Sequence, residues 1–314
     1  MAIQIKDTVI QTEAIIGVKD NLEAAQTATQ GAIQVGRNIH KGDFVNQTLF
    51  DEFGTIGRRD PNSDAAVTPE RLNGLEDVAV KLYFKGDLFV TNTELERYGS
   101  SVSGMNKGIG ATIGRNISRW ALQKALIALT GAITSQSGLI AGNGTTNADV
   151  GILNDAVFNL GDVNGDVVAF AAPSLVTHKL IGNALSSTAD KISYGAVYDA
   201  QVGTLGRSLW TVDNPALGWD DGAGNTGNYT LGLVKNAVTI DESEIIKILS
   251  DLDLTQENSG YRFKAEGAYT VNVKGFAYNS AQGINPTDSI LANTASWNLI
   301  KDIKHGAGVI AKTL

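Results

Sequence analysis

Residues 103–133 read SGMNKGIGATIGRNISRWALQKALIALTGAI, and this stretch decides the fold. Ile109, Ile113, Ile117 and Trp120 recur at helical spacing on one face. At about 100° per residue, Arg115 and Arg119 fall roughly opposite that face. After Trp120 the pattern changes. Leu122, Leu126, Leu129 and Ile133 make a second apolar stripe on the side the arginines held, while Ile127 continues the first. The spacing predicts one helix that starts half exposed and ends enclosed on two sides. A helix of about 30 residues spans roughly 45 Å. That is long for a compact domain and suits a strut crossing a flat subunit.

Upstream, Phe44 to Phe53 is rich in apolar residues (Phe44, Val45, Leu49, Phe50, Phe53). A polar stretch full of turn formers follows from Gly54 to Gly74. Val78, Val80 and Leu82 then alternate with Ala79, Lys81 and Tyr83. Lys85-Gly86-Asp87 reads as a turn, and Leu88 to Thr93 resumes a β-rich run. The pattern predicts a long hairpin with a charged, extended tip that holds Arg58, Arg59, Asp60, Glu70 and Arg71. Such a tip cannot bury itself within its own chain. Residues 1–42 are polar and mixed, with a helix-like stretch near Leu22 to Thr29, and read as an arm, not a core element.

Downstream, Ser135 to Asn147 is a Gly/Asn/Thr/Ser loop. Asp149 to Leu160 reads as a helix closed by Gly161. Val167 to Ala172 is a short apolar strand. Pro173 then opens a helix through Leu185, since the missing N–H of proline costs little in a first turn. Leu209 to Val212, Tyr229 to Ile240 and Ile245 to Leu249 read as strands, and Trp219 to Asn228 as a flexible surface loop. Tyr261, Phe263, Ala265, Tyr269, Val271 and Val273 hold odd positions, while Arg262, Lys264, Glu266, Thr270, Asn272 and Lys274 hold even ones. This two-residue period marks a sheet with one buried face. Unbroken to Ala277, it would run roughly 60 Å, which predicts a bend at Gly267 or a long paired arm.

With 314 residues the chain can form one large domain or two coupled ones. Apolar residues make up 43% and charged residues 18%, a globular balance rather than a disordered one. So lightly charged a surface hints at cover by partners. The formal net charge of −8 disfavours general nucleic-acid binding, which needs a basic footprint. The absence of cysteine excludes disulfides, thiolate metal sites and Cys nucleophiles, so burial and assembly must hold the chain together. Met1 to Ile16 lacks the basic start and apolar run of a signal peptide. The longest apolar stretch, Val167 to Val176, is too short to span a bilayer, so no membrane is expected.

No motif carries chemistry. His40, His178 and His305 are scattered, without metal-ligand spacing. Gly108-x-Gly110 with Gly114 imitates a dinucleotide loop but has no strand before it and a misplaced third glycine. Asp162-Val-Asn164-Gly-Asp166 opens like a calcium loop and then departs from it at Val167 and Pro173, so a turn is the better reading. Asp220 and Asp221 read as a solvated loop. Glu94 and Glu96 have no partner across a sugar-sized gap. The expectation is no enzyme, no metal and no cofactor. One charge feature stands out. No acid occurs between Glu96 and Asp149, while Lys107, Arg115, Arg119 and Lys124 do. It reads either as a solvated helix face or as a basic surface toward packaged DNA or an acidic neighbour, making sequence-independent phosphate contacts.

Several local patterns resemble the major capsid proteins of tailed bacteriophages, the Hong Kong 97-type family. Asn154-x-x-Val157-x-x-Leu160-Gly161-Asp162, then Val167 to Ala172, then Ser174-x-Val176-x-x-x-Leu180, is similar to that family's helix, strand and helix in the axial domain. Gly203-Thr-Leu-Gly206-Arg207-Ser-Leu-Trp-Thr-Val-Asp213 resembles its Gly-Arg turn leading into a strand. Asn285-Pro286-Thr287, Leu291, Trp297, Asp302, Lys304 and Gly308-Val309-Ile310 resemble its closing segment.

The resemblance implies an α+β, Hong Kong 97-like capsid fold. Residues 1–42 would be the N-terminal arm and 43–98 the extended loop region. Residues 99–147 would hold the spine helix of the peripheral domain, 148–260 the axial domain, and 261–314 peripheral strands and the C-terminal segment. It implies pentamers and hexamers that close into an icosahedral phage head around double-stranded DNA, assembled in the host cytoplasm. Scaffold, portal and decoration proteins would be further partners. The extended loop would make inter-subunit contacts through Arg58, Arg59, Asp60, Glu70, Arg71, Glu94 and Arg97, and Lys107, Arg115, Arg119 and Lys124 would face the DNA. An encapsulin-type nanocompartment shell, and another virion or surface-lattice protein, are the alternatives.

Overall fold

A computed structural model describes residues 7–50, 61–62, 74–98, 102–188, 206–222, 224–255 and 257–314. The chain begins with α1 (Asp7–Ala28), β1 (Ile33–Arg37), β2 (Phe44–Phe50), β3 (Gly74–Thr91), α2 (Asn92–Tyr98) and α3 (Val102–Thr134). It continues through β4 (Ile140–Ala141), α4 (Val150–Phe158), β5 (Val167–Ala172), α5 (Ser174–Thr188), β6 (Ser208–Thr211), β7 (Gly218–Asp220) and β8 (Thr226–Val234). Then follow β9 (Val238–Asp253), β10 (Gly260–Val273), β11 (Phe276–Tyr278), α6 (Asp288–Leu291), β12 (Trp297–Leu299) and β13 (Gly308–Thr313).

The long helix expected over 103–133 is α3, and both of its stripes are used. Ile113 and Ile117 are buried in its first half, and Leu126, Leu129 and Ile133 are fully buried in its second. The expectation of an arm over 1–42 is corrected for the described residues 7–37. Ile10, Ala14, Val18, Leu22 and Ala25 line one face of α1, and all are buried. What makes room for them lies on α3. A Cβ at Gly110 would sit 2.5 Å from the Ile10 carbonyl oxygen, and one at Gly114 2.5 Å from that of Ala14. Glycine alone lets the two helix backbones come so close. Two of the glycines that imitate a dinucleotide loop, Gly110 and Gly114, are thus a helix-crossing surface.

Seven strands form the first sheet, in the order β1-β9-β10-β11-β12, with β3 on β10 and β2 on β3. The turn expected at Lys85-Gly86-Asp87 is corrected: β3 is a single strand. β10 pairs with it residue for residue, from Gly260↔Thr91 to Val271↔Val80, and this continuous ladder overrides the local turn chemistry. At Gly267, where a bend or a long paired arm is expected, the β10–β9 register slips between Glu266 and Tyr269 while the β10–β3 ladder runs on unbroken. A Cβ at Gly267 would meet the Phe84 ring at 2.8 Å.

The second sheet runs β4-β13-β8-β5-β6, with β7 on β8. Asp149 caps α4 by accepting from Ile152 N at 2.8 Å, and Asp213 accepts from Ser174 N at 2.8 Å where α5 starts. The stretch 219–228, expected as a flexible loop, is instead a hairpin of β7 and β8. Trp219 is buried there. Its Nε1 donates to the Thr313 carbonyl at 3.0 Å, and the Lys312 ammonium lies 4.0 Å from its ring centre. The expected division at residue 260 does not follow the sheets. β9 pairs with β10 across it, and the C-terminal β13 pairs with β8 in the second sheet. One continuous apolar core runs from α1, α3 and the first sheet into the second sheet and α4.

Candidate functional site

The hairpin is rooted where β2 and β3 join the body of the first sheet. β2 pairs with β3 from Phe44↔Val80 to Phe50↔Gly74, and the charged stretch lies between those ends. Polar contacts cross from root to body. Lys81 N donates to the Asp43 carbonyl at 3.0 Å, and the Tyr83 hydroxyl donates to Asp43 Oδ1 at 2.9 Å. Tyr83 N donates to Asn285 Oδ1 at 3.1 Å. The Lys81 side chain is 2% exposed and donates to Glu244 Oε1 at 2.7 Å. Burial works against its charge, but the Glu244 carboxylate and the Tyr83 hydroxyl outweigh that, so the ammonium titrates above its ordinary value. Asp77 accepts from Asn272 Nδ2 at 3.1 Å, and His40 Nε2 lies 3.4 Å from Thr270 Oγ1. Beside this layer is an open cleft of about 630 Å³, lined in part by His40, Lys81, Glu244 and Lys247.

Sequence reasoning missed this layer, because Lys81 alternates with Val80 and Leu82 as a solvent-facing residue would. A signal was present on β10. Its even positions are charged before Gly267 (Arg262, Lys264, Glu266) and uncharged after it (Thr270, Asn272). The charged three are exposed, whereas Thr270 is buried. Charge stops where cover begins.

Of the expected contact residues, Arg58, Arg59, Asp60, Glu70 and Arg71 lie outside the described residues. Glu94 and Arg97 stand on α2. Glu94 serves its own helix: Thr91 N donates to its Oε2 at 2.9 Å, and Glu94 N donates to Thr91 Oγ1 at 3.2 Å. This is a capping box. The Thr91 bonds hold the carboxyl below its usual range. Arg97 is exposed in the last turn.

The four basic residues of α3 divide in two. Lys107 sits 3.6 Å from Glu13 on α1, and Lys124 bonds Asp288 at 2.5 Å with its ammonium over the Trp120 ring. Both are neutralised by the chain itself. Arg115 and Arg119 are exposed and line a groove between α1 and α3 together with Asn21, Ser118, Leu122 and Trp210.

The calcium-like stretch is a short 3-10 turn, Gly161–Asp166, fastened from outside. Arg207 donates to the Val167 and Asn164 carbonyls at 2.8 and 3.0 Å, and Lys304 reaches Asp162 at 2.7 Å. Asp162 is thus engaged in structure. No group of three or more metal-ligating side chains occurs among the described residues, and no helix there is long and apolar enough to cross a membrane.

A family model described as Gp13-like, major capsid protein 13-like, matches residues 2–310. The chain belongs to the major capsid protein 13-like family. It is a major capsid protein of a phage head. Solved phage structures share its fold at low identity. A chain of Microbacterium phage Oxtober96 superposes with a TM-score of 0.54 at 12% identity, covering 91% of either chain. One of Mycobacterium phage Cain gives 0.51 at 12%, covering 91% of the capsid protein and 90% of that chain. The capsid of Ralstonia phage GP4 gives 0.51 at 12%, covering 79% and 84%. The shared fold is Hong Kong 97-like. No curated protein matches the sequence of this capsid protein.

Proposed function

We propose that this capsid protein assembles into pentamers and hexamers of an icosahedral head that encloses double-stranded DNA, and that it works mechanically, without catalysis. The observation that carries this reading is the hairpin. Two paired strands, Phe44–Phe50 and Gly74–Val80, lead into a charged stretch rich in turn formers. Reaching over a neighbouring copy gives that stretch a place to bury. A closed shell needs heterologous contacts that close by rotation, and an overlapping arm adds area beyond a standard interface of about 1,600 Å². Arg58, Arg59, Asp60, Glu70, Arg71 and Arg97 are the side chains assigned to that contact.

In this reading α3 is the spine and the first sheet is the peripheral layer. The second sheet with α4 and α5 meets around capsomer centres. Arg115 and Arg119 face the packaged DNA. Portal, scaffold and decoration proteins complete the head, which assembles in the host cytoplasm. The test is electron microscopy of the purified protein, alone and with its scaffold. Closed particles tens of nanometres across are expected, and a chain that stays monomeric in both conditions refutes the reading.

A further inference from the structure

At the hairpin root, one side-chain contact leaves two buried acceptors without a partner. Asp77 Oδ2 accepts from Asn272 Nδ2 at 3.1 Å, yet Asp77 Oδ1 and Asn272 Oδ1 are both buried and unbonded among the described residues. An unpaired buried acceptor costs its full desolvation. One proton on Asp77 can satisfy both, since a carboxylic acid can donate through Oδ1–H to an amide oxygen while Oδ2 goes on accepting from Nδ2. We propose that Asp77 is held as a neutral carboxylic acid bonded in both directions to Asn272, and that this pair pins the hairpin root to the sheet body until the proton leaves.

The position gives the pair its leverage. β10 pairs with β3 only as far as Val80, and below that point β3 has β2 as its strand partner. Asp77 lies in that lower part, so its bond to Asn272 fastens the hairpin arm across the gap to β10. The side chain is 8% exposed. Burial pushes its carboxyl up, and only the Asn272 bond pulls it down. The surrounding ionisable groups are engaged elsewhere. On β3, Lys81 is paired with Glu244, and Glu76 is exposed on the opposite side of the strand. Just past the end of β10, Lys274 donates to the Lys235 carbonyl at 3.4 Å, and before β2 the His40 ring lies 3.4 Å from Thr270 Oγ1. On β11, the Tyr278 hydroxyl donates to the Gly283 carbonyl at 3.3 Å, and on β2 the register partner of Asp77 is the uncharged Gln47.

The sign follows from linkage. The folded value stands above the unfolded one, about 3.9, so the stabilisation is complete below that pH and is lost as pH rises through the folded value. For one proton, root opening becomes up to tenfold easier per pH unit within that window.

Hydrogen exchange of the β2 and Gly74–Val80 amides in the full-length protein, corrected for intrinsic rates, reads this directly. Between about pH 4 and about pH 8, protection there should fall relative to α4 in the wild type. It should stay level in Asp77→Asn, whose amide makes the same two bonds without a titrating proton. A variant that follows the wild-type course overturns the proposal. If Asp77→Asn does not fold, Asp241→Asn decides, because Asp241 is the other described carboxyl that burial raises. An infrared carboxylic-acid C=O band that persists in that variant above the pH at which its exposed carboxyls lose theirs supports the neutral acid, and a band that vanishes together with theirs overturns the proposal.

Discussion

Gly108 and Gly114 lie on the same helix, and their surroundings call for opposite responses to the same substitution. In a helix interior, alanine is favoured over glycine by about 1 kcal/mol. A Cβ at Gly108 meets nothing within 4 Å, so Gly108→Ala should raise stability by up to about 1 kcal/mol. At Gly114 the new atom lands 2.5 Å from a backbone oxygen of α1, and overpacking of about 1–3 kcal/mol outweighs the propensity gain. Denaturant midpoints should therefore move in opposite directions. A stabilising Gly114→Ala would mean that α1 and α3 do not touch as described. The role of these glycines could not be read from one sequence, because the close approach belongs to a helix about 100 residues away in the chain. Lys81 was hidden for a similar reason, since its cover comes from Glu244 and the 38–43 segment rather than from its neighbours on β3.

Among the elements, α3, α4, β5, α5 and β10 were legible because each carries its own period or cap. Asp149 and Gly161 bracket α4, and the alternation of β10 matches its burial up to Gly267. Where partners decide, reading failed. Lys85-Gly86-Asp87 has turn chemistry but is held straight by β10. Trp219-Asp-Asp-Gly looks like a loop but closes a hairpin under Lys312. α1 has apolar residues on more than one side, with Ile15 and Ile16 exposed, which blurs its buried stripe. Among the described residues the hairpin is paired only at its root. Its pairing ends at Phe50↔Gly74, so deleting Gly57 to Leu72 removes no described ladder bond. Loop shortening changes closure entropy by under about 1 kcal/mol. The subunit should keep its unfolding midpoint within that margin and fail to form stable shells. Normal shells from the deletion variant would remove the hairpin from the assembly account.

For the whole molecule, the order of elements was legible, while the division into sheets was not. Antiparallel pairing chose β3 for β10 and β13 for β8 across long sequence separations, which no local pattern records. The charge distribution also resolves only in three dimensions. Lys107 and Lys124 pair with Glu13 and Asp288, which leaves Arg115 and Arg119 as the basic residues of α3 with no ion pair among the described residues. If they meet phosphates, Arg115→Ala with Arg119→Ala should flatten the dependence of log duplex-DNA affinity on log salt by roughly two. Lys107→Ala should leave it unchanged. An unaltered slope in the double variant would return these arginines to a plain solvated face.

In the assembled head the chain should complete its burial on other copies of itself through the segment between Phe50 and Gly74. A cryo-electron-microscopy reconstruction of the assembled shell measures this directly. Density for residues 51–73 should lie across an adjacent subunit, with Arg58, Arg59 or Arg71 against its side chains. Density showing that segment folded back on its own first sheet, touching no neighbour, would contradict it.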